Sequence, residues 1–169
     1  MKHIRQRPNE CWMTSVCMVT GYDIERLRTQ LQERFGKPWN GSGVGGLWSD
    51  WRRSWAMNTK IRRFIVGITG APESVFELGW LQLSTMSIPR GRGPKWTLPP
   101  GRGILRIINV SKRISHVIAF ENGRVYDGEL DYPITIDTYQ KLRRGWRLDK
   151  AVVVEPQRKL QVPTGASST

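Results

Sequence analysis

Apolar residues recur every three or four positions through much of the first half of the chain and alternate through parts of the second, so helices are expected first and strands afterwards. Trp12, Met13, Val16, Cys17 and Val19 make a broad apolar stripe that stops at Gly21, a C′ glycine. Pro8 disfavours helix at Arg7, Asn9 is an N-cap and Glu10 supplies a first-turn carboxylate, so a buried helix is predicted to begin here. Residues 23–35 place Ile24, Leu27, Leu31 and Phe35 inward and Glu25, Arg26, Arg28 and Arg34 outward, a surface helix ended by Gly36 and Pro38. Residues 47–55 read as a short helix with Trp48, Trp51 and Trp55 on one face. Residues 61–68 read as a strand, and 72–80 as a helix that 81–86 continues.

The stretch 87–103 breaks the pattern: its prolines, scattered glycines and cations make a loop joining two halves. Residues 104–110 form an Ile-rich strand, Lys112 and Arg113 mark a turn, and 116–120 and 125–127 flank Asn122-Gly123, a strong hairpin signal. A two-residue turn there sets Glu121 opposite Arg124, Phe120 opposite Val125 and Ile118 opposite Asp127. His116 then shares a face with Asp127, one diagonal step away, while Glu129 falls directly opposite it. Residues 132–142 read as a loop and a short helix, and Lys141, Arg143, Arg144 and Arg147 gather around Trp146. A closing strand at 151–154 precedes a polar end. The expected architecture is one α+β domain over 1–155: a helical half (1–86), a basic Pro/Gly/Arg loop (87–103), a half carrying an antiparallel sheet (104–155), then a tail (156–169).

Composition adds a partner question. A chain of 169 residues can bury a core without metal or disulfide support, yet its formal charge of +13 asks for an acidic partner, nucleic acid or a large assembly holding counter-charge. Arg90, Arg92, Lys95, Trp96 and Arg102 are the candidate nucleic-acid contacts, cations for phosphates and a ring for bases, with a solvated basic loop as the plainer alternative. Gly41, Gly43 and Gly46 have phosphate-loop spacing, but no strand precedes them, and a loop near the cleft is the reading kept. Cys11 and Cys17 lie six apart on different helix faces, which argues against a disulfide and for a reducing compartment. Two Cys and two His without ligand spacing leave no metal site expected, and no cofactor is implied. Neither a signal-peptide core nor an apolar run of bilayer length is present, so the protein is read as soluble, with no membrane partner.

Candidate chemistry centres on Cys11. In the first helical turn, unpaired backbone N–H groups and the helix dipole favour a thiolate. Gln6, Cys11, Trp12 and Ser15 resemble the Gln…Cys-Trp-x-x-Ser signature that opens papain-like cysteine peptidases, although the Gly-x-Cys-Gly run before the nucleophile is missing. The chain's brevity is similar to compact bacterial relatives such as the double-glycine leader peptidases. The resemblance implies a papain-like fold, a nucleophilic Cys11, an oxyanion hole from Gln6 and the Cys11 N–H, and the order Cys, His, Asp with His116 as base. Asp127 is then the residue that orients His116, and Glu129 its rival. Trp12 and Trp48 are weak candidates for the substrate-lining wall. The implied reaction is hydrolysis of peptide or isopeptide bonds in a protein or peptide, in a reducing cytoplasm or a phage particle. The alternative is a non-enzymatic basic component of a nucleoprotein assembly built on the same fold.

Overall fold

The computed structural model describes residues 1–7, 10–35, 51–78, 95–112 and 114–154, with 51–58 as backbone only. Helix α1 spans Cys11–Thr20 and is surrounded: every residue from Trp12 to Val19 is buried. It ends where the sequence says, at Gly21, whose φ of 77° only glycine adopts freely and whose N–H reaches Cys17 O at 2.9 Å. Helix α2, Ile24–Phe35, turns Leu27 and Leu31 inward, but it also buries Arg28, which the pattern had set outward. The reason lies in Glu10, 1% exposed at the start of α1: a carboxylate so buried needs a counter-charge, and the Arg28 Nε donates to it at 3.2 Å.

Helix α3, Trp51–Thr69, corrects the strand expected at 61–68. Ile61 and Ile65 lie four apart, and both are buried beside Val66 in the core that surrounds α1. That helical spacing serves one face, and tertiary packing overrides the strand preference of Ile and Val. Helix α4 is only Glu73–Glu77, shorter than expected, and Leu78 after it is fully buried. The predicted continuation at 81–86, the glycine loop and the tail lie outside the described residues.

The second half forms a five-stranded antiparallel sheet: β1 (Arg102–Asn109), β2 (Ile114–Glu121), β3 (Arg124–Tyr126), β4 (Ile134–Thr135) and β5 (Arg147–Val153), in the order β4-β3-β2-β1-β5. Asn122 and Gly123 both take positive φ, 49° and 78°, and the register is the expected one, with Phe120 opposite Val125. β5 begins four residues earlier than predicted, at Arg147 rather than 151. Alternation along β2 feeds two cores: Val117 and Ala119 join the helices, while Ile118 and Phe120 join Leu105, Ile107, Trp96 and Tyr139 of the second. Tyr139 comes from helix α5, Ile136–Leu142, whose N-cap Thr135 accepts from the Thr138 N–H at 3.3 Å. The molecule is thus α+β, and among the described residues no helix is long and apolar enough to cross a membrane.

Candidate active site

The short length of β3 creates the site. β3 stops at Tyr126, opposite Ala119, so among the described residues no strand pairs with that side of β2 before Ala119. The start of α1 fills the place. Ser15 Oγ lies 2.7 Å from Cys11 O and 3.1 Å from Val117 O, one hydroxyl shared between helix and strand, and the Val117 backbone also bonds the Cys11 thiol. Cys11 is the first residue of α1 and half-buried. Burial pushes its thiol up, but the hydrogen bond and charge of His116, with backbone bonds from Val117 and Trp12, outweigh burial and hold it below the usual 9.0. Cys17, six residues on, has no imidazole to bond it, and burial outweighs the Arg28 charge and pushes it up to about 12.

His116 sits on β2 opposite Ile107, only 6% exposed. Its Nε2 lies 2.9 Å from Asp127 Oδ1, which leaves Nδ1 as the ring nitrogen for the Cys11 thiol. Burial disfavours the imidazolium, yet the Asp127 and Cys11 bonds prevail and raise His116 to about 10. Trp146 meets the imidazole edge-on, ring centres 6.4 Å apart.

Asp127 is fully buried and, among the described residues, gathers four donors. Oδ1 takes His116 and the Glu129 N–H at 3.0 Å; Oδ2 takes the Tyr139 hydroxyl and the Arg143 guanidinium, each at 2.7 Å. Burial alone would raise this carboxyl, but His116, the Glu129 amide and Tyr139 hold it well below the usual carboxylate range. Asp127 lies one residue beyond β3, not within it, so the expected pairing with Ile118 is absent from the ladder; the diagonal reach to His116 nevertheless holds. Glu129 does not replace it. Its half-exposed carboxylate is bonded by Arg143 and, at 3.4 Å, by the Gln6 amide.

The structure therefore brings Cys11, His116 and Asp127 together, and lays Gln6 against the turn that carries the acid. The Gln6 N–H donates to Gly128 O at 3.0 Å, and a Cβ at Gly128 would stand 2.8 Å from Gln6 Cβ, so this approach requires glycine. Trp12 is placed otherwise than expected: its indole N–H is spent on Val75 O at 3.0 Å, its ring is 6% exposed under the Arg62 guanidinium, and it packs rather than lining an open wall. Trp96 is likewise no exposed stacking platform but a core residue tilted on Tyr139, because Leu105, Ile107 and Phe120 offer it an apolar bed. Arg102 is paired with Glu121, and Lys95 lies 3.4 Å from Asp137. Trp48, Arg90 and Arg92 lie outside the described residues.

Three residues escaped the sequence reading: Tyr139, Arg143 and Trp146. The sequence pattern places Arg143 in a cationic group around Trp146, with no link to the acid. The available signal was the spacing of Tyr139 and Arg143, four apart on one helical face, together with the need of a buried Asp127 for donors. Donor atoms of His116, Asp127 and Glu129 lie within 4.8 Å of one another, the spacing of a cation site, but the Arg143 guanidinium bonds both carboxylates and takes the place between them.

Fold and site define an α+β protein in which a histidine bonded to a buried aspartate also interacts with a cysteine at a helix start. No family model, curated protein or solved structure matches the chain significantly.

Proposed function

We propose that this protein is a papain-like thiol hydrolase that cleaves peptide or isopeptide bonds through Cys11, His116 and Asp127. One observation carries the reading: His116 gives Nε2 to a buried Asp127 and also interacts with Cys11, the half-buried first residue of a helix. The Cys11 thiolate attacks the substrate carbonyl carbon, and the carbonyl π pair moves to oxygen. The Cys11 N–H, which has no acceptor within its helix, and the Gln6 amide, exchanging its long bond to Glu129, receive that oxyanion. The His116 imidazolium protonates the leaving amine, the C–N bond breaks, and a thioester on Cys11 remains. His116, now neutral, takes a proton from water; the resulting hydroxide adds to the thioester, the C–S bond breaks, and the acid leaves with thiolate and imidazolium restored.

The test is alkylation of Cys11 by iodoacetamide at about pH 6, where an unassisted thiol is almost wholly protonated. Fast labelling of Cys11 is expected, falling about 100-fold in His116→Ala, with Cys17 untouched in both. Equal, slow labelling of the two proteins would remove the basis for an enzyme.

A further inference from the structure

Arg143 follows the last residue of α5, and its backbone N–H closes the helix on Tyr139 O at 2.9 Å. Its guanidinium is framed by two rings, 5.5 Å from the Tyr139 centroid and 5.6 Å from that of Trp146, the same indole that meets His116. From there Nε donates to the Tyr139 hydroxyl at 3.1 Å, and one terminal nitrogen donates both to Asp127 Oδ2 and to Glu129. Asp127 is thus gripped at Oδ2 by Arg143 and Tyr139 while Oδ1 faces the imidazole.

We infer that Arg143 is a positioning residue, one that with Tyr139 stops the Asp127 carboxylate from rotating off His116 Nε2. The inference rests on the proposed reading of the site. Among the described residues, the charged or titratable groups that bear on Asp127 and His116 are Glu129 from the turn, Tyr139 and Arg143 from α5 and its end, Cys11 from α1, and His3, whose Nε2–H reaches Asp127 O at 2.9 Å.

Position and charge predict opposite signs. A guanidinium acting only as a nearby charge disfavours the imidazolium, so its removal would raise the titration midpoint of His116. A guanidinium that orients Asp127 does the reverse: its removal frees the carboxylate, and the midpoint falls. The full chain, with isotope-labelled histidine, is titrated by NMR; it contains only two histidines, and His3→Gln assigns the pair. Arg143→Gln is expected to lower the His116 midpoint by about one pH unit. Tyr139→Phe, which deletes only a hydroxyl from a packed ring, lowers it by less, and Arg143→Lys, which keeps charge without the planar fork, behaves like Arg143→Gln. A midpoint that stays raised in the native chain and is unmoved or higher in all three variants overturns the inference while leaving the triad intact. A native His116 titrating near the ordinary 6.5 would overturn the site reading, and this one with it.

Discussion

Two buried carboxylates in this molecule are built alike and behave differently. Glu10, 1% exposed, is held by Arg28, which also pairs with the exposed Glu25; Asp127, 0% exposed, is held by Arg143, which also pairs with the half-exposed Glu129. Around Glu10 every described partner is a guanidinium or a backbone amide, the Arg7 N–H at 3.1 Å among them, groups that keep their protons at any ordinary pH. Around Asp127 one partner is an imidazole that in turn meets a thiol. The first cluster can only fasten α2 to the start of α1; the second can move a proton. A buried charge pair is structural or reactive according to whether a titratable neighbour completes it.

The sharpest way to separate the clusters is Glu10→Gln. It strands Arg28 without its main partner and is expected to lower unfolding free energy by about 3–5 kcal/mol, measured by urea denaturation. Labelling of Cys11 in the folded fraction should not change; a parallel loss of reactivity would mean the two clusters are one. Asp127→Asn reverses the balance. Each arginine keeps its outer carboxylate, but Arg143 is the less buried of the two, so the stability loss is smaller, about 1–3 kcal/mol, while the His116 midpoint should drop by about 1–3 pH units.

Acidity sharpens the contrast further. Taken alone, a histidine raised from 6.5 to about 10 contributes stability that is full below 6.5 and lost as pH rises toward 10. The Cys11 thiol is lowered from 9.0, so it contributes above that value and loses the contribution as pH falls. Above 9.0 the unfolded chain has shed both protons while the folded chain keeps the one on His116 until about 10, so stability owed to this pair should decline by about 1 kcal/mol between 9.0 and about 10. His116→Gln should abolish that decline, and Glu10→Gln should not. The smallest effects belong to the outer carboxylates: Glu25→Gln and Glu129→Gln are expected to cost about 1 kcal/mol or less, because both are exposed, at 65% and 47%, and screened by water.

Much of the site lay open in the sequence because its geometry is local. The helix end at Gly21, the Asn122-Gly123 turn and the register it imposes follow from backbone preferences a few residues long, and that register is what carries His116 toward Asp127. The strand wrongly expected at 61–68 shows where such reasoning stops: an Ile-rich stretch is ambiguous until the neighbour that buries it is known, and the buried face of α3 is chosen by packing in the α1 core. The sequence pattern sets Arg28 outward and leaves Arg143 in a cationic group around Trp146 for the same reason, since a long cationic side chain turns inward only where a distant carboxylate is buried to meet it.

The sequence by itself settled the helix end at Gly21 and the Asn122-Gly123 hairpin with its register, because these depend on neighbours along the chain. Only the tertiary structure decided that β3 ends early enough to admit Cys11 beside β2, and that Trp12 and Trp96 pack inside. The same holds for the two arginines, each aimed at its own buried carboxylate. Those outcomes depend on which surfaces lose water together, and desolvation is a property of the assembled fold rather than of any stretch of it.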